Sequence, residues 1–173
     1  MGKVISVVNQ KGGVGKTTTA VNLAAGLGLK GKKVLLVDID PQGNTTSGYG
    51  INKRDIRLSS FDVLVNFARL TDAAIKTDFD GVSLVPGDIG LAGAELEMID
   101  KPNRESLLKA AISLVRDSYD FVLLDCPPSL GLITVNALTA SDTVLVPIQC
   151  EYYALEGLSQ LMATMRIVKQ KYN

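Results

Sequence analysis

Apolar residues in this chain come in two kinds of pattern, and the two alternate. Short unbroken runs read as strands, and helically spaced stripes read as helices. Val4-Ile5-Ser6-Val7-Val8 is the first run, and Ala20 to Ala25 begins a helix after it. Gly26, Gly28 and Gly31 loosen that helix, and Gly31 before Lys32-Lys33 marks its end. Val34-Leu35-Leu36-Val37 is apolar without alternation, the mark of a strand covered on both faces. Residues 41–57 are rich in Gly, Asn and Thr and read as a long loop. Ser59 or Ser60 is expected to cap a short helix through Phe61, Val63, Leu64 and Val65. A second short helix is expected from Thr71 or Asp72.

The alternation continues to the end. Val82-Ser83-Leu84-Val85-Pro86-Gly87 reads as a third strand, and Leu91 to Ile99 has helical spacing. Asn103 is the expected cap of a helix whose stripe is Leu107, Leu108, Ala111, Ile112 and Val115. Phe121–Asp125 is a fourth strand, residues 132–140 a helix and Thr143–Pro147 a fifth strand. The last helix, Ala154 to Lys171, turns Leu155, Leu158, Leu161, Met162, Met165 and Val168 inward. Apolar strands alternating with helices predict an α/β fold: a doubly wound, mainly parallel sheet with helices on both faces.

Composition adds exclusions. A chain of 173 residues is expected to form a single domain over 1–173. Eighteen basic and eighteen acidic residues cancel, so no global field draws the chain to DNA or to a membrane. No apolar run reaches transmembrane length and no leader is visible, which points to a cytoplasmic protein and no membrane partner. With no histidine, imidazole acid–base chemistry and histidine metal sites are excluded. Cys126 and Cys150 lack a C-x-x-C spacing and read as isolated thiols.

The chemistry concentrates at the first strand–helix junction. Lys11-Gly12-Gly13-Val14-Gly15-Lys16-Thr17-Thr18 lies between a strand and a helix, the context in which a glycine loop cradles phosphate. Backbone N–H groups turned inward and a helix N-terminus together attract an anion. Lys16 brings an ammonium to the β/γ-phosphates, and the Thr17 hydroxyl can ligate Mg²⁺. Asp38, Asp40 and Asp125 end apolar strands, where open α/β sheets place ligand groups. Asp125 is placed to hold a magnesium-bound water, and Asp40 to orient the attacking water. Asp38 is either a further magnesium group or a hydrogen-bond partner of the loop. Each aspartate alone is more often a turn or cap residue; the set gains meaning beside a phosphate loop.

The usual P-loop pattern asks for Gly at position 10, where this chain has Gln10, and an extra lysine follows at Lys11. That form resembles the deviant Walker A of the ParA/MinD ATPases. The segments 9–19, 38–44 (D-I-D-P-Q-G-N), 125–131 (D-C-P-P-S-L-G) and 149–157 (Q-C-E-Y-Y-A-L-E-G) are similar to ParA/Soj chromosome- and plasmid-partitioning ATPases. The resemblance implies ATP/ADP and Mg²⁺ as ligands, slow hydrolysis and an ATP-bound homodimer. It implies Lys11 as a signature lysine acting on the partner's nucleotide, with Gly12 against the partner subunit. It further implies a ParB/Spo0J-type stimulating protein, non-specific DNA binding and association with the nucleoid. Pro127-Pro128-Ser129 would form a switch-like loop. Members of that family normally run well past residue 173, so the expected fold lacks their C-terminal strands, base-contacting residues and basic DNA-binding patch.

Three other readings compete. A MinD-like cell-division ATPase would bind membrane through a basic amphipathic helix; the last helix has no strongly basic polar face. An iron–sulfur carrier would use a bridging cysteine, and Cys126 directly follows the acidic strand end. A nucleotide-dependent regulator would bind ATP and dimerise with little hydrolysis. Vesicle co-sedimentation, the colour of the purified protein and a turnover assay separate them.

Overall fold

The computed structural model describes residues 1–150 and 154–172, with residues 154–156 described by backbone alone. Among the described residues, six strands form one sheet: β1 (Lys3–Val7), β2 (Val34–Asp38), β3 (Ile75–Lys76), β4 (Val82–Val85), β5 (Phe121–Asp125) and β6 (Thr143–Leu145). Their order across the sheet is β3-β4-β2-β5-β1-β6. All pairs are parallel except β3 with β4. Among the described residues, eight α-helices lie between and after the strands: α1 (Lys16–Leu29), α2 (Asn44–Gly48), α3 (Ser60–Val65), α4 (Leu70–Ala73), α5 (Leu91–Met98), α6 (Leu107–Ser113), α7 (Leu132–Ala140) and α8 (Ala154–Lys171).

The period-2 geometry of the strands sends successive side chains to opposite faces. Val34 and Leu36 of β2 join Ala20 and Ala24 of α1 in one core layer. Leu35 and Val37 join Leu64, Leu91, Leu108, Ile133 and Leu161, from α3, α5, α6, α7 and α8, in the other. All five residues of β2 are buried, so its unbroken apolar run has the cause expected of it. The predicted doubly wound, mainly parallel sheet with helices on both faces is the observed fold.

Several expectations need correction. Residues 41–57 are not one loop: they hold α2 and a 3₁₀ turn at Lys53–Asp55. The edge strand β3 was not anticipated; two residues are too short for any periodicity. Helix α4 starts at Leu70, one or two residues before the expected Thr71 or Asp72. Asn103 caps no helix. It takes a left-handed turn at φ 53°, and α6 starts four residues later. Strand β6 ends at Leu145 rather than Pro147. On α8, Leu161 and Val168 are buried, but Met162 is 43% exposed and points away from the core. Leu155 lies outside the described side chains. Ser59 is the cap of α3, in a capping box with Asp62.

Candidate functional site

Register brings the acidic strand ends together. Asp125 of β5 pairs with Val7 of β1 on one side and with Asp38 of β2 on the other. The chain leaves β1 at that same end, so the glycine loop folds over the two carboxylates. Its bend is made by glycines with positive φ, Gly13 at 74° and Gly15 at 89°. L-side chains rarely adopt that region, and no neighbour lies within 4 Å of a Cβ built on either glycine. The restriction is therefore conformational rather than a matter of space. Gly15 is the N-cap of α1 and offers no side-chain cap, so the N-terminus of α1 opens toward whatever the loop encloses.

Lys16 is buried, and its Nζ donates to the Lys11 carbonyl at 2.9 Å. This bond folds the ammonium back over the loop. Burial lowers the Lys16 pKa, and the charges of Asp125 and Asp40 oppose that shift. Lys11 donates its own backbone N–H to Asn9 Oδ1 at 3.0 Å, and Asn9 Nδ2 donates to the Pro147 carbonyl at 2.8 Å. Gln149 Nε2 donates to the Gly13 carbonyl at 3.1 Å. The segment after β6 thus braces the loop from outside.

Asp125 is fully buried and accepts two hydroxyls on one oxygen: Thr17 Oγ1 at 2.8 Å and Thr45 Oγ1 at 2.7 Å, both to Oδ2. Its other oxygen, Oδ1, is buried without a hydrogen-bond partner among the described residues. Burial raises the Asp125 pKa; the two hydroxyls oppose the shift. A buried carboxylate oxygen left open beside a threonine hydroxyl is a hard-oxygen donor set that fits a divalent cation and its waters. No group of three or more acidic or thiol side chains forms a closed metal cage among the described residues.

Asp38 is also fully buried, but both of its oxygens are engaged. Oδ2 accepts from the Thr46 backbone N–H at 2.8 Å and the Thr46 hydroxyl at 2.7 Å. Oδ1 accepts from the Asp40 N–H at 3.2 Å. Burial pushes its carboxyl up to about 6, against the pull of the Thr46 hydrogen bonds. The partners of the Asp38 carboxylate therefore lie on α2 and on the turn after β2, not on the glycine loop for which a hydrogen bond was one of its two expected roles. Asp40 accepts from the Gln42 N–H at 2.9 Å and closes a tight turn.

A cavity of about 330 Å³ lies in front of the loop. Gly12, Gly13, Gly15, Lys16, Thr17 and Thr18 form one wall; Asp40, Gln42, Asn44 and Pro128 form the others. Val14 points into the protein and is buried. The structure therefore gathers Lys16, Thr17, Thr18, Asp40 and the loop glycines on one cavity, with Asp125 beneath them. Sequence reasoning missed Thr45 and Thr46. They lie on a five-residue helix with no apolar stripe, and their one visible signal was a Thr-Thr pair just after D-I-D-P-Q-G-N. Cys126 is fully buried, and burial raises its thiol pKa far from the reactive range.

A strand, a glycine loop, a helix and a buried lysine above an acidic strand end define a P-loop nucleotide-binding fold. Residues 2–173 match the family described as AAA domain. The chain is 56% identical to the sporulation initiation inhibitor protein Soj of Bacillus subtilis over 173 residues, all of this chain and 68% of that protein. It is 48% identical to the chromosome partitioning protein ParA of Caulobacter vibrioides, over 99% of this chain and 65% of that one. A Mycobacterium smegmatis protein described as cobyrinic acid a,c-diamide synthase, solved with a bound ATP analogue and magnesium, superposes with a TM-score of 0.95 at 42% identity. That match covers 100% of this chain and 70% of the other. The chain belongs to the ParA/Soj family of partitioning ATPases, and spans about two thirds of the length of these relatives. No helix among the described residues is long and apolar enough to cross a membrane.

Proposed function

We propose that the cavity binds ATP or ADP with Mg²⁺. On this reading the chain is the nucleotide switch of a chromosome- or plasmid-partitioning ATPase. It hydrolyses ATP slowly, dimerises when ATP is bound and is stimulated by a ParB-type partner. The observation that carries the reading is the Lys16–Thr17–Asp125 cluster at the open end of α1. It combines a buried ammonium, a hydroxyl on a carboxylate and one carboxylate oxygen without a partner among the described residues.

Roles follow from position. The glycine loop and the first turn of α1 supply N–H groups to the α- and β-phosphates. Lys16 exchanges its bond to the Lys11 carbonyl for the β/γ-phosphate oxygens, a charge-assisted and stronger partner. Thr17 Oγ1 and, through water, Asp125 would hold Mg²⁺. The metal would supply charge neutralisation between the β- and γ-phosphates. Asp40, on the opposite wall, accepts a hydrogen bond from the water facing the γ-phosphate. Positioning of that water is most of what a protein contributes to this reaction. Lys11 reaches a partner subunit's nucleotide in the dimer. DNA binding and nucleoid association belong, on this reading, to the longer protein.

Calorimetry with ATP and Mg²⁺ tests the site. Lys16→Ala should lose binding, since it removes the mobile cation and leaves the loop glycines in place. Equal affinity in the variant and the wild type would sink the assignment.

A further inference from the structure

Two neighbouring threonines of α2 reach two different buried carboxylates. Thr45 holds Asp125, and Thr46 holds Asp38. Thr46 does more, because its hydroxyl is used in both directions. Oγ1 donates to Asp38 Oδ2 at 2.7 Å and accepts from the Gly87 N–H, in the loop after β4, at 2.9 Å. The Thr46 backbone N–H adds a second bond to the same carboxylate oxygen at 2.8 Å. The free face of Asp38 then accepts the Asp40 N–H at 3.2 Å. Thr46 and Asp38 have no exposed surface. The packing is close on the far side too: a Cβ on Gly87 would stand 2.9 Å from Asp38 Cγ. One buried hydroxyl therefore joins α2, the end of β2 and the loop after β4.

We propose that Thr46 is the positioning residue for Asp40, acting through Asp38. The inference rests on the reading of Asp40 as the water-orienting carboxylate. Asp40 is tied down by two bonds of its own turn, its side chain to the Gln42 N–H and its carbonyl to the Gly43 N–H. Those bonds shape the turn but do not attach it to the sheet. Ile39, one residue earlier, is bonded to the end of β5 through its N–H to the Asp125 carbonyl at 3.1 Å; the bond that fixes Asp40 itself is its N–H to Asp38, whose carboxylate is held in its rotamer by Thr46. A hydroxyl is needed there because one atom must donate to an anion and accept from an amide. Valine has the same shape and does neither. Without the hydroxyl, the Gly87 N–H is buried without its acceptor and Asp38 keeps a single donor on Oδ2. The carboxylate can then turn, and the Asp40 N–H loses its fixed acceptor, leaving the turn held at Ile39 alone. A shift near 1 Å in a positioning group costs up to about 100-fold in rate.

The test compares Thr46→Val, Thr46→Ser and a matched change at Thr77. Thr77 is also buried, and its hydroxyl donates to the Val82 carbonyl at 2.9 Å, at the far edge of the sheet. Amide hydrogen exchange and ATP turnover are read on each variant, with ATP affinity beside them. Thr46→Val should speed exchange at Asp40, Gln42 and Gly43 and lower turnover about 10- to 100-fold while ATP affinity holds. Thr46→Ser should restore both readouts, and Thr77→Val should move neither. Should Thr46→Val fail to fold, Thr46→Ala removes the same hydroxyl with less volume. The exchange arm needs no turnover. Unchanged exchange at these amides in the hydroxyl-free variant overturns the proposal and leaves the role of Asp40 intact. Wild-type turnover in Asp40→Ala would instead overturn the reading on which it rests.

Discussion

Asp38 and Asp40 lie two residues apart at the end of β2, and their surroundings separate them. Asp38 spends both oxygens on Thr46 and on the Asp40 N–H, and no part of it lines the cavity. Asp40 lines the cavity and spends one oxygen on its own turn. The bland role for Asp40 is that turn alone, and a pair of substitutions tells the two apart. Asn keeps an acceptor for the Gln42 N–H and loses only the charge. Asp40→Ala and Asp40→Asn should both retain ATP binding and lose turnover by about 100-fold or more. Full turnover in Asp40→Asn with a loss in Asp40→Ala would reduce Asp40 to a turn former. Asp125→Ala should behave differently. It strips the acceptor from Thr17 and Thr45 together and weakens magnesium-dependent binding itself.

At the scale of elements, helix starts decide much of what is precise here. Helix α6 has no side-chain cap of its own. Its missing acceptor comes from another helix: Asn136 Oδ1 of α7 accepts the Leu108 N–H at 3.1 Å. Asn136 Nδ2 donates to the Arg104 carbonyl at 2.7 Å and the Leu132 carbonyl at 3.0 Å. Asn136 is fully buried, so Asn136→Ala leaves polar groups without water or partner. It should lower stability by about 1–3 kcal/mol in urea unfolding, without changing ATP affinity per folded molecule. This cross-helix cap explains the failed expectation at Asn103. A local rule looks for a cap just before the helix, and the acceptor here comes from 28 residues away in sequence. The elements that were legible share one property: their cause is local. Val34–Val37 is apolar throughout because helices cover both its faces, and Ser59 caps α3 through its own neighbours. Helix α2 and strand β3 were illegible because tertiary partners hold them, not periodicity. The same holds inside the site. Lys16 and Thr17 follow from the glycine loop that carries them, whereas Thr45 and Thr46 gain meaning only from carboxylates on other strands.

At the scale of the whole molecule, the cavity is open on the side of Gly12, which is exposed with Gly13 and Thr18. An ATP-dependent homodimer would close that side. Lys11 has two parts with separable duties in such an assembly. Its carbonyl holds Lys16 Nζ within the subunit, and alanine keeps a carbonyl. Its side chain is the part expected to cross to a second subunit. Lys11→Ala should therefore bind ATP as the wild type does, yet fail to shift to a dimer on gel filtration with ATP and Mg²⁺. A purely intrasubunit role predicts the reverse: weakened binding and no particular effect on assembly. Mixing sharpens the test. Lys11→Ala subunits combined with Asp40→Ala subunits place one intact Lys11 opposite one intact Asp40. A lysine that acts in trans then restores part of the turnover that each variant lacks alone. Mixed dimers that form, bind ATP and stay inactive would count against action across the interface and return Lys11 to its own loop.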